Sequence, residues 1–154
     1  MRLFFYGTLL DPDVQSAVLG RALARHDLTP AILRHFRRVY IAGRPYPMVV
    51  PHRGGLVEGA VAEHLSPDDL TRIALYEGED YRLKRHQVFA GADAGQSAQL
   101  AKATARVVWL YRCRSTARPS SREWRLAAWQ AAEKSVYLRE IEASQHAIGR
   151  GRLA

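Results

Sequence analysis

The chain has 154 residues, 47% of them hydrophobic and 25% charged, which fits one globular domain (1–154) with a core of its own. The formal charge is +8, nearly all of the excess on arginine. Those arginines are scattered, without the interleaved aromatics of a single-strand nucleic-acid track. A single cysteine, Cys113, excludes an intrachain disulfide, and no apolar run approaches the ~20 residues of a membrane span.

Residues 2–6 read as a buried strand, with Leu3, Phe4 and Phe5 in succession. Arg2 before this run could open a signal peptide. Gly7, Thr8 and then Asp11-Pro12-Asp13 cut the run off, and no small-residue cleavage site follows. Met1 is therefore expected to begin a mature, cytoplasmic chain. Asp11 caps a helix and Pro12 suits its first turn; Val14, Ala17 and Val18 keep helical spacing until Gly20. Residues 31–42 predict a strand, followed by a rigid loop, Gly43-Arg44-Pro45-Tyr46-Pro47. Met48-Val49-Val50 reads as a short strand stopped by Pro51, and His52-Arg53-Gly54-Gly55 as a hairpin turn. Leu56 to Leu65 is the return strand, in which Gly59 signals a bulge or the close approach of another group.

Ser66-Pro67-Asp68-Asp69 is a strong helix start, with Leu70, Ile73 and Ala74 on one face and an end near Tyr76 to Gly78. Tyr81 to Phe89 predicts a strand, Gly91 to Gln99 a polar, alanine-rich loop, and Thr104 to Tyr111 the last clear strand. Arg114 to Ser121 leads into one long helix of about 25 residues, over roughly 121–148, with Trp124, Ala128, Ala131, Leu138 and Ile141 on one stripe. The tail Gly149 to Arg152 is expected to fray. Strands and helices mix without regular alternation. The fold class expected is α+β, a small mixed, mostly antiparallel β-barrel flanked by helices, with a core over about 1–113 and a long C-terminal helix.

Two segments carry chemistry. In Tyr6-Gly7-Thr8-Leu9 a glycine just past a strand frees the backbone to turn, and successive N–H groups there can converge on one anion. The alternative is an ordinary strand-to-helix turn. Glu77 stands at the C-terminal, negative end of a helix among Leu75, Tyr76 and Tyr81. Buried there, its pKa would rise and make it a base near neutral pH; otherwise it is a surface acid, as Glu79 and Asp80 are expected to be. The six histidines show no metal-ligand spacing, and there is no phosphate-loop or dinucleotide fingerprint, so neither metal nor cofactor is expected. Cys113 reads as a small residue near a strand end, or as a reactive thiol between Arg112 and Arg114.

Together these segments resemble the γ-glutamylcyclotransferase-like family. Its Tyr-Gly-(Ser/Thr)-Leu loop stands here as Tyr6-Gly7-Thr8-Leu9, and its Glu-Gly followed by a tyrosine as Glu77-Gly78-Glu79-Asp80-Tyr81-Arg82. Between them lie Tyr46-Pro47 and Val57-Glu58-Gly59, and a late strand ends at Tyr111. Ala74 stands where the family often has an aspartate, and the basic pair after Tyr81 is shifted in Arg82-Leu83-Lys84-Arg85. The resemblance implies ring closure of a γ-glutamyl amide to 5-oxoproline, with Glu77 as general acid and base. It also implies a substrate site of Tyr6, Gly7, Thr8, Leu9, Tyr81 and Tyr111. The partners expected are a small γ-glutamyl molecule, no nucleic acid and no membrane, the chain acting as monomer or homodimer. The competing reading is a binding or interaction module of the same fold without catalysis.

Overall fold

The computed structural model describes residues 1–91 and 102–151. Its strands are β1 (Leu3–Phe5), β2 (Leu28–Ile41), β3 (Pro47–Ala62), β4 (Tyr81–Ala90), β5 (Thr104–Cys113) and β6 (Pro119–Glu123). The helices are α1 (Pro12–Leu19), α2 (Pro67–Glu77), α3 (Leu126–Ala132) and α4 (Lys134–Gly151). The strand order β3-β1-β5-β4-β2, with β2 also paired to β3, closes a five-stranded barrel, and β6 is added outside β2. Only the β1–β5 pairing is parallel among the described strands. The α+β barrel with flanking helices is thus present.

The continuous apolar run of β1 follows from its place in the barrel. Phe4 points inward with Leu33, Val57, Val88, Val108 and Leu110, whereas Leu3 and Phe5 pack under the helices against Val14, Ile73 and Trp129. A strand covered on both faces has no position left for a polar residue.

Three expectations need correction. Pro51 does not end a strand: β3 runs unbroken through it, and His52–Gly55 is an excursion within β3 rather than a hairpin turn. The pairing steps from Arg34↔Leu56 to Phe36↔Pro51 across it, so β2 faces both halves of β3. A proline is tolerated there because the ladder is already interrupted. The hairpin connection is instead the Ala42–Tyr46 turn.

The C-terminal segment is also not one helix. Residues 119–123 form β6, Trp124 is fully buried ahead of α3, and the chain breaks at Glu133 between α3 and α4. The Trp124 N–H donates to the Arg38 carbonyl (3.1 Å), extending the β2–β6 edge into what helical spacing had assigned to a stripe. At the other end, α4 continues to Gly151, a little past the end expected near residue 148. The loop predicted over Gly91–Gln99 lies, after Gly91, outside the described residues.

Asp11 ties the two ends of the chain together. Its carboxylate accepts from the Asp13 and Val14 amides at the start of α1, from Gln130 Nε2 (2.7 Å), and from Lys134 Nζ (2.8 Å). Burial alone would raise its pKa, but the hydrogen bonds from Lys134, Gln130 and the two amides outweigh it and hold the group below its ordinary value. Asp11→Ala removes a cap and leaves Lys134 without its buried partner. The expected loss is about 2–3 kcal/mol, read as a lower midpoint in urea with an unchanged slope. Because the folded pKa is depressed, the wild-type advantage is present above the unfolded carboxylate pKa and disappears as pH falls through the folded one.

Candidate active site

The end of β1 and the end of α2 meet at one cavity of about 270 Å³. Its wall carries Tyr6, Gly7, Thr8 and Leu9 from the first and Glu77 to Tyr81 from the second. All seven residues singled out in the sequence (Tyr6, Gly7, Thr8, Leu9, Glu77, Tyr81 and Tyr111) line it. Ala74 does not; it is exposed on the outer side of α2.

Both segments are shaped by local sequence. Gly7 precedes a 3-10 turn, Thr8–Leu10, closed by Leu10 N–H donating to Gly7 O (3.0 Å) and Asp11 N–H to Thr8 O (3.0 Å). The N–H groups that open such a turn have no acceptor within it, so Thr8 and Leu9 present donors at the cavity wall. A Cβ on Gly7 would come within 3.1 Å of Pro47 Cγ. On the opposite side Ser66 and Asp69 form a capping box at the start of α2, and Gly78 ends it at φ 66°, ψ −159°. That conformation is open essentially to glycine alone. The abrupt exit leaves Glu77 as the last helical residue, facing the cavity.

Glu77 is partly covered by the surrounding aromatic wall. No hydrogen-bond partner for its carboxyl is found among the described residues, and burial pushes its pKa up to about 8. Desolvation with no compensating donor disfavours the charged form. Glu79 and Asp80 are exposed, as expected of surface acids, though both reach the cavity rim. Burial pushes the Cys113 thiol up to about 11, which leaves it protonated near neutral pH and removes the reading as a reactive thiol.

Six of the chain's seven tyrosines line the cavity. Tyr6 Oη donates to the Tyr111 carbonyl (2.5 Å) and Tyr81 Oη to the Pro47 carbonyl (2.9 Å), so these two hydroxyls brace the wall. Thr8 Oγ1 and Tyr76 Oη share a hydrogen bond of 2.6 Å, and Tyr76 Oη is in turn bonded to Tyr137 Oη. This chain of hydroxyls links the β1 turn, α2 and α4.

Tyr46, Tyr76 and Tyr137 were not identified as site residues from the sequence. Tyr76 precedes Glu77 and Tyr46 lies in the Tyr-Pro segment, so adjacency was a usable signal for both. Nothing local marks Tyr137, which reaches the cavity because α4 folds back over Trp129 (ring centroids 5.4 Å apart). Arg38 was also missed, as one of the scattered arginines that no motif singled out. Its guanidinium donates to the carbonyls of Tyr6 (2.6 Å), Glu58 (2.9 Å) and Trp124 (3.1 Å). Burial lowers its pKa to about 10. It clamps the end of β1, and with it the Tyr6–Leu9 turn, to β3 and to the C-terminal segment.

Residues 3–131 match the family model described as gamma-glutamyl cyclotransferase, AIG2-like. The chain belongs to that family. Among Arabidopsis thaliana relatives, protein AIG2 C is 35% identical over 79 residues, 51% of this chain and 46% of the relative. AIG2-like protein C is 34% identical over 86 residues, 56% and 48% of the two chains. The matched part thus spans about half the length of these relatives. A protein of A. thaliana solved in solution superposes with a TM-score of 0.63 at 24% identity, covering 95% of this chain and 91% of the other. A gamma-glutamyl cyclotransferase superposes with a TM-score of 0.51 at 16% identity, covering 92% and 86%. At those identities the two structures establish the shared barrel fold. Tyr137 lies beyond the residues matched by the AIG2-like family model, so this wall of the cavity comes from outside the matched segment.

Proposed function

We propose that this family member is a cyclotransferase that converts a γ-glutamyl amide to 5-oxoproline and a free amine. The observation that carries the proposal is a carboxyl with a pKa near 8, held in a small cavity whose wall also carries the free amides of Thr8 and Leu9. The amides orient the glutamyl moiety. Glu77 in its ionised form takes a proton from the substrate's α-ammonium. The freed amine attacks the side-chain carbonyl carbon and a new C–N bond closes the five-membered ring. Glu77 returns its proton to the departing nitrogen as the old C–N bond breaks, then takes the second proton that the ring nitrogen must shed and passes it to the released amine, which leaves as an ammonium ion. One group acting as base and then as acid works best with a pKa near the working pH. Both reacting atoms belong to one molecule, so positioning supplies much of the acceleration. Every step is carried by side chains and amides of this chain, and we place the reaction in the cytoplasm.

Incubation of the pure protein with γ-glutamyl dipeptides, glutathione and γ-glutamylamines, followed by assay for 5-oxoproline, tests the proposal directly. Release from at least one class is expected, and none from any class would leave the binding-module reading. Tyr137→Phe removes one hydroxyl from the Thr8–Tyr76–Tyr137 chain while keeping the ring packed on Trp129. A hydrogen bond contributes about 0.5–1.5 kcal/mol, so Tm is expected to fall by roughly 1–6 °C and, at temperatures where the variant is folded, kcat/KM by roughly two- to tenfold.

A further inference from the structure

The arginines scattered along the sequence are gathered by the fold. β2, β4 and β5 carry no aspartate or glutamate, and the β4–β5 ladder sets Arg82 directly opposite Arg112. Opposite residues of an antiparallel pair leave the same face with Cβ atoms about 5 Å apart. Two guanidinium groups therefore start side by side, and Lys84 and His86 follow at alternate positions on that face. Like charges so placed weaken a ladder. No ion pair to Arg82, Lys84 or Arg112 offsets that cost among the described residues.

The surrounding strands hold this arrangement open. β4 pairs with β2 at Ala31↔Ala90 and Ile32↔Phe89, and from Val88 back to Arg82 the two strands part. Phe36 of β2 stands in the gap. Its ring packs against the barrel interior, meets the His86 ring edge-on with centroids 5.4 Å apart, and lies 5.1 Å below the Arg112 guanidinium. Arg112 is half-buried by this stack, whereas Arg82 and Lys84 are exposed. Neighbouring groups register the uncompensated charge. Burial and then Arg112 hold the His86 pKa below its ordinary value, and Arg112 works against the rise that burial imposes on Tyr6.

We propose that this face binds a compact, multiply charged phosphate group, as in an inorganic polyphosphate or the phosphate tail of a nucleotide. Arginine meets phosphate oxygens with two parallel N–H donors, and lysine adds a point charge. An anion between Arg82 and Arg112 turns their repulsion into attraction. The Phe36 ring is taken up by the core, by His86 and by Arg112, so it offers no face to a base, and recognition falls to the phosphates. A single-strand track, which needs free aromatic faces in series, fits this surface less well. Arg82, Lys84, His86, Arg112 and Phe36 all lie outside the wall of the Glu77 cavity, so the inference stands apart from the cyclotransferase reading.

Calorimetric titration with tripolyphosphate tests the proposal. The wild-type protein is expected to bind it, with an affinity that falls as salt is added. Arg82→Glu should weaken binding by roughly tenfold or more. The same change makes the pair with Arg112 opposite in charge, so the free variant should melt no lower than wild type. Arg139→Glu, an equal change of charge on exposed α4, should leave the affinity within about twofold. ATP without divalent metal should bind about as tightly as tripolyphosphate, and the His86 ring should titrate at higher pH in NMR spectra of the complex. Absence of tripolyphosphate binding overturns the proposal, as does an equal loss in the two variants or an unmoved His86 titration. Binding of a single-stranded oligonucleotide without binding of tripolyphosphate would replace the compact site by an extended track.

Discussion

Glu77→Gln is expected to keep the fold and to lower 5-oxoproline release by about 10³-fold or more, since removal of a general acid–base group costs about 10²–10⁴ and here one group serves both proton transfers. The pH behaviour is a sharper signature. With burial holding the Glu77 pKa near 8, the base is mostly protonated at pH 6, so wild-type kcat/KM is expected to climb between pH 6 and 8.5. A residual rate in the variant should lack that climb. Stability should move in the opposite sense. A carboxyl whose folded pKa lies above its unfolded value binds its proton more tightly in the native state, so stability is full below the unfolded pKa of 4.5 and declines as pH rises through about 8. At about 1.4 kcal/mol per pKa unit, the ionised form costs on the order of a few kcal/mol. Glutamine mimics the protonated acid. Glu77→Gln should therefore melt higher than wild type at pH 9 and close to it at pH 4.5. A melting curve with no pH-dependent gain would show that Glu77 is solvated, and retained turnover would remove it as the base.

Gly59→Ala has the second large effect, on stability. An added Cβ would sit 2.2 Å from the Phe5 carbonyl oxygen and 2.6 and 2.7 Å from two ring carbons of Phe4. Neither can retreat cheaply. Phe5 is paired to Ala60 in the β1–β3 ladder, and Phe4 fills the barrel interior. Forcing the strands apart is expected to destabilise by about 3 kcal/mol or more, a fall of roughly 6–12 °C in Tm for a domain of this size. Because β1 runs into Tyr6–Leu9, turnover should fall even at temperatures where the variant remains folded. An unchanged Tm would mean that β1 does not lie against β3 at this point.

Gly59 also shows how far local sequence can go. A glycine inside a strand signalled the close approach of another group, and that group is the β1 backbone. Asp11-Pro12 and Ser66-Pro67 likewise announced α1 and α2 because capping is satisfied within a few residues. Where a decision required distant partners, local reasoning failed. Pro51 looked like a strand end because a proline cannot donate to a ladder, yet β2 holds both halves of β3 in line. Helical spacing carried the last helix through Trp124, whose backbone pairs instead with Arg38 on β2.

The sequence alone determined the kinds of chemistry available: an acid placed at a helix end by the glycine after it, and a turn opening with free amides. Those depend on backbone sterics and hydrogen bonds that reach only a few residues. Tertiary structure alone decided that the two face one another, that Arg38 clamps the turn, and that Tyr137 from the last helix closes the wall. Barrel closure brings residues 68 and more positions apart into contact, and only that enclosure removes enough water to lift the Glu77 pKa. Desolvation is a property of everything that surrounds a group, and no short stretch of chain contains it.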